Sequence, residues 1–240
     1  MNILVTGGTR GLGRCIVQNL LDQGHDIWLI ARSGAVECFE LPEESLKRLH
    51  WVEADLADVA GLRTTLNNAI DSKAIAFDGL VNNAATAYDD LVTNAKLTDI
   101  ESSFRVNVFA PMELTRYVIR NMLLHGKAGS LVHISSIWSR TGYKGLSMYA
   151  ATKGALESFS RGVAREWGSK RIRSNCVLPG FMETDMSATL TQEQRDKIYR
   201  RSSLGLPTDP KSVAETVCYL LSDASRSITG QDFIVDSGSL

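Results

Sequence analysis

The sequence predicts one α/β domain, a doubly wound parallel sheet with helices on both faces. Short apolar runs alternate with amphipathic helical segments along the chain, which is the pattern of such a sheet. A glycine-rich turn follows the first apolar run and opens the first helical segment. The length of 240 residues suits one domain, and no repeat or linker divides 1–240.

The first two strands and the helix between them form a β-α-β unit. Asn2 to Thr6 and Asp26 to Ala31 are the predicted strands, and Gly24 ends the helix as a C-cap would. The first turn contains four glycines, of which Gly7, Gly11 and Gly13 form the spacing G-x-x-x-G-x-G. Glycines there let backbone N–H groups approach a pyrophosphate at the helix N-terminus, so the unit predicts a Rossmann-type dinucleotide site. A turn with glycines for turning alone is the alternative.

The remaining elements continue the alternation. Strands are predicted at 49–53, 79–81, 130–134, 172–178 and 232–235, and helices at 59–71, 98–124, 148–167 and 210–221. Pro111 predicts a kink or break in the helix that contains it. The polar segment 183–203 is predicted to be a helical surface lid. Ligands of such sheets bind at the carboxyl ends of the strands, so we expect the site at that edge.

Composition excludes several classes of function. A formal net charge of −1 gives no footprint for nucleic acid or an acidic membrane surface. No apolar run reaches the roughly 18 residues of a membrane span. The four cysteines (Cys15, Cys38, Cys176 and Cys218) are scattered, which predicts reduced thiols and a cytoplasmic protein. The four histidines lack metal-ligand spacing, so no metal is expected, and the chain opens on a strand without room for a signal peptide.

Tyr149 and Lys153 lie four residues apart on a predicted helix and therefore share one face. An ammonium about 4 Å away would stabilise the phenolate by roughly 4 kcal/mol at an effective dielectric of 20. That would lower the tyrosine pKa by about 3, making the phenol able to donate a proton to a carbonyl oxygen and recover it. The pair alone is also compatible with a half-buried tyrosine and an exposed lysine.

Several motifs together resemble the short-chain dehydrogenase/reductase family over essentially the full length, and within it the 3-oxoacyl-acyl-carrier-protein reductases. They are Thr6-Gly7-x-x-x-Gly11-x-Gly13, Asp55-Leu56, Asn82-Asn83-Ala84, Asn107, Ser136, Tyr149-x-x-x-Lys153, Pro179-Gly180 and Thr229-Gly230. The resemblance implies NADPH-dependent reduction of a carbonyl, most like a 3-oxoacyl thioester of fatty acid biosynthesis.

The resemblance also implies catalytic roles. Tyr149 would be the general acid in reduction, and Lys153 would assist it and bond the nicotinamide ribose. Ser136 would bond the substrate carbonyl; the spacing of thirteen residues to the tyrosine selects it over Ser135. Asn107 would hold the bend of its helix and a water that relays protons to Lys153. The alternative for Asn107 is an amide that satisfies only a kinked helix backbone.

The cofactor is expected to be NADPH/NADP+. Strand two ends in Ala31-Arg32-Ser33 without the carboxylate that would repel a 2′-phosphate, and Arg32 and Arg10 could bind one. Asp55 would accept from the adenine amino group, unless it is a simple helix cap, and Asn82 would position the adenosine side by its backbone and amide. Thr184 resembles the residue that bonds the carboxamide. The implied cofactor contacts are Gly7, Thr9, Arg10, Gly11, Leu12, Gly13, Arg32, Asp55, Leu56, Asn82, Ala84, Tyr149, Lys153, Pro179, Gly180, Met182 and Thr184.

Substrate and partners are less constrained by the sequence. The expected pocket consists of Ser136, Trp138, Tyr143 and Tyr149, under a lid with Met182, Met186 and Leu190. An acidic acyl carrier protein could dock at the pocket mouth on Lys127, Lys170 and Arg171, although these can equally be solvated surface charges. The family resemblance implies a homotetramer whose interface is formed by helices 98–124 and 148–168. Their apolar residues Phe104, Val108, Met112, Phe159 and Val163 fit that interface or packing on the sheet.

Three positions depart from the family pattern. Ala85 replaces a usual glycine, Val235-Asp236-Ser237-Gly238 replaces a Gly-Gly pair, and the segment 33–42 is short and irregular. We expect the C-terminal change to matter for packing. Two other functions remain open: a reductase for another small ketone, sugar or steroid, and a non-catalytic dinucleotide-binding protein. The second would be expected to lose the tyrosine, lysine or serine, and this chain keeps all three.

Overall fold

A computed structural model describes residues 1–32, 39, 41–183 and 191–240. Its sheet contains seven strands in the order β3-β2-β1-β4-β5-β6-β7, and all neighbouring pairs are parallel. The strands are β1 Asn2–Thr6, β2 Asp26–Ala31, β3 Leu49–Glu53, β4 Gly79–Asn82, β5 Gly129–Ile134, β6 Ile172–Pro179 and β7 Asp232–Val235. The predicted doubly wound parallel sheet is confirmed.

Helices connect the strands on both faces of the sheet. They are α1 Gly11–Asp22, α2 Glu43–Leu46, α3 Val59–Ala69, α4 Leu97–Phe104, α5 Ala110–Leu124, α6 Trp138–Thr141, α7 Ser147–Trp167, α8 Gln192–Tyr199 and α9 Pro210–Leu221. The predicted C-cap of α1 is confirmed: Gly24 has φ +79°, and the His25 N–H donates to the Leu20 carbonyl at 3.1 Å. Of the predicted lid, α8 is helical, and residues 184–190 lie outside the described chain.

The segment predicted as one helix over 98–124 is interrupted. A π-helical turn, Arg105–Phe109, separates α4 from α5, and the Ala110 N–H donates to the Arg105 carbonyl five residues earlier. Pro111 is the second residue of α5 and has no N–H to donate to the carbonyls of the π turn before it. The predicted interruption of the α-helix is therefore present, and it is a π turn whose middle residue is Asn107.

Strand alternation sends successive side chains of β1 to opposite faces of the sheet. Ile3 and Val5 pack in one buried cluster with α1 and α9, while Leu4 packs in a second cluster with α3 and α5. Because both faces of the strands are covered, polar groups collect at the ends of the strands. The carboxyl ends of β1, β4, β5 and β6 thereby form one edge that carries the candidate site.

The C-terminal departure from the family pattern has a packing role. The Asp236 carboxylate is buried and accepts the N–H groups of Gly238, Ser239 and Leu240 at 2.7–3.0 Å. The Ser237 carbonyl accepts from Leu204 at 3.1 Å, so the chain end fastens the segment that follows α8.

Several features are neutral with respect to location and metals. Within the described ranges, no helix is long and apolar enough to cross a membrane. The same part of the chain contains no group of three metal-ligating side chains. Cys15, Cys176 and Cys218 are free thiols, and Cys38 lies outside the described residues.

Candidate active site

The glycine turn between β1 and α1 is closely packed against β4. Gly7 has φ +67°, and a Cβ there would lie 2.8 Å from the Ala84 Cα. A Cβ on Gly13 would lie 2.0 Å from the Gly7 carbonyl oxygen. Only glycine fits these two positions, so the turn brings bare backbone to the carboxyl edge of the sheet.

Asn83 fastens this turn, a role that the sequence argument missed. Its Nδ2 donates to the carbonyls of Thr6 and Gly7, both at 3.0 Å. The Thr6 hydroxyl in turn accepts the N–H groups of Asn83 and Ala84 at 3.0 Å. The signal was present in the sequence as the second asparagine of the strand-four motif, which lies beside β1 because β1 and β4 pair.

The predicted amide role of Asn82 is wrong. Its side chain is buried and turns into the core, where Nδ2 contacts the Pro111 carbonyl (3.4 Å), the Thr115 hydroxyl (3.3 Å) and His133 Nδ1 (3.1 Å). In a strand, successive side chains point to opposite faces, so Asn82 points inward and Asn83 points to the turn. Only the Asn82 backbone can contact a nucleotide.

The residues of the turn fit a dinucleotide. The first turn of α1 contains no acidic side chain, and Arg10 at its N-cap makes no side-chain capping bond within the described chain. The first N–H groups of α1 and the positive end of its dipole therefore suit a pyrophosphate. Leu12 and Leu56 are buried in the core, so their contributions would come from backbone. Thr9 lies half-buried in the same turn.

The charged residues predicted to bind the adenosine half of the cofactor are more exposed than most of the glycine turn. Arg10 and Arg32 are both exposed, near the carboxyl ends of β1 and β2. The Asp55 carboxylate is exposed and accepts the Ala57 N–H at 3.0 Å, which is a local turn contact. The helix-cap alternative for Asp55 is wrong, because α3 is capped by Asp58, whose carboxylate accepts the Gly61 N–H at 3.1 Å. The other oxygen lone pairs of Asp55 remain available to a ligand.

Ser136, Tyr149 and Lys153 come together at the carboxyl edge. The Ser136 hydroxyl follows β5 and is hydrogen-bonded to the Tyr149 phenol. Lys153 Nζ lies 5.5 Å from the centroid of the Tyr149 ring and donates to the Ile134 carbonyl at 2.8 Å. All three side chains are buried. The lysine ammonium has three N–H donors, so two remain after the bond to Ile134.

The predicted direction of the Tyr149 pKa is wrong in this structure. Burial raises the pKa of the phenol to about 12, although the hydrogen bond with Ser136 acts in the opposite direction. Burial also lowers the pKa of Lys153 to about 8. Attraction between the two charges alone predicts a lowered tyrosine pKa, but the desolvation of the buried phenol acts in the opposite direction and is larger. Both side chains are buried because they share the inner face of α7.

Ser135 faces away from the phenol. Its hydroxyl donates to Glu157 Oε1 at 2.6 Å and lies 3.3 Å from the Lys153 carbonyl. The structure therefore places Ser136, the serine that the spacing selected, against Tyr149. Glu157 was missed by the sequence argument, although it lies four residues after Lys153 and so on the same face of the helix.

Asn107 connects the π turn to two neighbouring segments. Its amide accepts the Thr86 N–H and donates to the Thr86 carbonyl, both at 2.8 Å, and it donates to the Thr152 hydroxyl at 3.1 Å. The side chain thus holds the loop after β4 against α7, one residue before Lys153. The alternative role, in which the Asn107 amide bonds only the backbone of its own helix, is therefore wrong.

Trp138 and Tyr143 contact each other beside Ser136, with ring centroids 4.7 Å apart. Trp138 also packs on the buried residues Ile137, Cys176 and Leu178, and its backbone N–H donates to the Ser136 hydroxyl at 3.3 Å. Met182 packs on the core cluster that contains Ile3 and Val5. Pro179 and Gly180 end β6 at this edge. The predicted contacts Thr184, Met186 and Leu190 lie outside the described residues, as does most of 33–42.

The three cations that were expected to receive a carrier protein do not lie at the pocket mouth. Lys127, Lys170 and Arg171 precede β5 and β6, whereas Ser136 follows β5 at its other end. Six residues of strand span about 20 Å, so these cations lie on the edge of the sheet opposite the site. Lys127 Nζ is moreover paired with Asp78 at 2.7 Å.

Comparisons with known proteins agree with this geometry. A family model described as enoyl-(acyl carrier protein) reductase matches residues 7–239. The 3-oxoacyl-[acyl-carrier-protein] reductase FabG of Aquifex aeolicus is 33% identical, over 98% of this chain and 95% of that protein. Carbonyl reductase family member 4 of Danio rerio is 34% identical, over 98% and 96%.

Solved structures show the same architecture. A gluconate 5-dehydrogenase from Burkholderia cenocepacia in complex with NADP and tartrate is 25% identical with a TM-score of 0.90, covering 99% of this chain and 94% of that one. A 4-hydroxyisoleucine dehydrogenase complexed with NADH is 23% identical with a TM-score of 0.92, covering 99% and 98%, and this match shows the fold. The chain is an oxidoreductase of the short-chain dehydrogenase/reductase family.

Proposed function

We propose that this protein is an NADPH-dependent reductase that converts a carbonyl to a secondary alcohol, with a 3-oxoacyl thioester as the substrate. The hydrogen bond between Ser136 and the buried Tyr149 phenol, with Lys153 beside it, carries the proposal. A carbonyl oxygen placed on the two hydroxyls would accept a hydrogen bond from each. A bound nicotinamide supplies the hydride.

Tyr149 is proposed as the proton donor. With its pKa raised to about 12, the phenol keeps its proton at neutral pH and can give it to an oxygen that gains charge. The phenolate left behind is buried, so it needs the donors around it: the Ser136 hydroxyl and the Lys153 ammonium. Lys153, with its pKa lowered to about 8, is charged at pH 7 and is a ready source of the returning proton.

Asn107 is proposed to position this pair. Its bonds to Thr86 and Thr152 fix α7 against the loop after β4, next to the turn that contains Lys153. A water held at the π turn, as the resemblance implies, would then carry protons to Lys153. Ser136 is proposed to stabilise the carbonyl oxygen, and Trp138 and Tyr143 to form the adjoining wall of the pocket.

The preference for NADPH over NADH rests on charge. Strand β2 ends at Ala31 without an acidic side chain, and Arg10 and Arg32 are exposed near that edge. An arginine fork suits a 2′-phosphate. We expect kcat/KM to be higher with NADPH than with NADH for the same ketone. A higher value with NADH would contradict the preference.

The substrate proposal is tested with a panel of ketones and NADPH. A 3-oxoacyl thioester, a small aliphatic ketone, a keto sugar acid and a steroid ketone are compared by kcat/KM. The FabG relatives favour the thioester, and the carbonyl reductase relative favours a small ketone as the second candidate. The proposal expects the thioester to have the highest value. A higher value for another ketone would replace it, and NADPH binding without reduction of any ketone would contradict the enzymatic role.

A homotetramer formed through α5 and α7 is also proposed, on the family resemblance. Val163 is buried, and Phe159 is partly buried against the same cluster, so they offer little apolar area to an interface. Phe109 and Leu124 on the α5 side are 49% and 64% exposed and provide apolar area instead. A monomeric mass in solution would contradict the assembly.

A further inference from the structure

Glu157 lies at the centre of a buried polar cluster beside the candidate active site. Its side chain is 4% exposed. Oε1 accepts from the Ser135 hydroxyl at 2.6 Å and from the Ser139 hydroxyl, and Oε2 accepts from Arg140 Nε at 2.9 Å. A buried carboxylate must be compensated in this way, because an unpaired charge in the interior is costly.

The three donors belong to one short segment, 135–140, which also contains Ser136. Ser136 is held on both sides: Ser135 bonds Glu157 immediately before it, and Ser139 bonds both Glu157 and the Ser136 carbonyl after it. The carboxylate therefore fastens the serine segment to α7 one helical turn beyond Lys153. The Ser136 hydroxyl and the Tyr149 phenol thus come from two segments that Glu157 joins.

We propose that Glu157 is a positioning residue, which sets the placement of Ser136 against Tyr149 and so the rate of carbonyl reduction. The inference rests on the proposed function and deepens it. A carboxylate is required because its two oxygens receive two hydroxyls and a guanidinium at once. A glutamine in its place has one oxygen and an NH2 group, so at least one of these bonds is lost.

The same cluster offers a matched control. Arg140 also bonds Asp232 on β7, and Arg161 Nη1 bonds the same Asp232 oxygen at 2.7 Å. Arg161 is 46% exposed, and its guanidinium bonds Asp232 and Ser158 rather than segment 135–140 within the described chain. Removing Arg161 therefore disturbs the ion-pair cluster without releasing the serine segment.

The test is a double-mutant cycle on kcat. Glu157→Gln is expected to lower kcat about 10- to 100-fold, the range for a misplacement near 1 Å, and to leave the KM for NADPH unchanged. In a Ser136→Ala background the same change should lower kcat far less, because the group it positions is gone. An equal loss in both backgrounds, or no loss from Glu157→Gln alone, would overturn the inference.

Two further variants separate positioning from general stability. Arg140→Gln should also lower kcat, as Glu157→Gln does. It replaces Glu157→Gln as the test if that variant does not fold. Arg161→Gln should leave kcat unchanged while lowering the melting temperature slightly. A loss of kcat in Arg161→Gln equal to that in Arg140→Gln would show that the whole cluster acts through stability, which contradicts the proposal.

Hydrogen exchange separates this inference from the proposed function. If the wild-type protein reduces no ketone, the function fails, and the amides of 135–140 still report on Glu157. Glu157→Gln should increase exchange in that segment, and Arg161→Gln should not. Unchanged exchange in Glu157→Gln would overturn the positioning role whatever the activity.

Discussion

Replacing Gly13 by alanine is expected to distort the glycine turn, because the added methyl group has no space. The added Cβ would lie 2.0 Å from the Gly7 carbonyl oxygen and 2.5 Å from Asn83 Nδ2, so backbone must move by more than 1 Å. Overpacking costs about 1–3 kcal/mol. The loss of the two Asn83 bonds costs about 2 kcal/mol more, and a helical alanine returns about 1 kcal/mol. We therefore expect a loss of about 2–4 kcal/mol.

The assay is urea unfolding followed by titration of the folded variant with NADPH. The Kd for NADPH should rise more than about 10-fold, because Gly7 and the start of α1 form the proposed pyrophosphate site. Gly162→Ala is the matched control: it lies in α7, and its Cβ would meet no described atom within 4 Å. That variant should gain about 0.5–1 kcal/mol. An unchanged unfolding midpoint and NADPH affinity in Gly13→Ala would refute the reasoning.

Three other predictions concern charge and position. Burial lowers the Lys153 pKa from 10.5 to about 8, so between these two pH values the folded state binds fewer protons than the unfolded state. Relative to Lys153→Met, the wild-type free energy of unfolding should rise by about 1 kcal/mol between pH 7 and 9, and a flat difference would contradict the burial argument. Ser136→Ala should lower kcat at least about 100-fold, whereas Ser135→Ala, which removes only one of the bonds to Glu157, should lower it less; the reverse order would exchange their roles. Arg32→Asp should lower kcat/KM for NADPH more than for NADH, and equal losses would remove Arg32 from the cofactor site.

The fold was predictable because its signals are local and repeated. An apolar run predicts β1, whose residues after Asn2 are all buried, and the glycine turn and the C-cap at Gly24 mark the two ends of the helix that follows it. A parallel sheet orders these elements. The strand β7 and helix α9 match their predicted bounds. The break near Asn107 was predictable from Pro111, but the π turn was not, because it depends on the bonds from Asn107 to Thr86 and Thr152.

Parts of the site could not be predicted because they depend on burial and on long-range contacts. The Tyr149 pKa required the extent of desolvation, which no spacing gives. The inward turn of Asn82 and the outward turn of Asn83 required the register of β4. Lys127 was expected at the edge of the sheet that carries the site, but it precedes β5 and lies at the opposite edge. Its charge alone gives no information on its position along the strand.

The most direct test of the central claim is Tyr149→Phe, measured as NADPH-dependent reduction of the best ketone in the panel. The change removes the phenolic oxygen and leaves the ring that packs in the buried site. Turnover should fall by about 100- to 10,000-fold, the range for a positioned general acid, while the Kd for NADPH stays within error of the wild-type value. Near-normal turnover in the phenylalanine variant would contradict the assignment of Tyr149 as the proton donor.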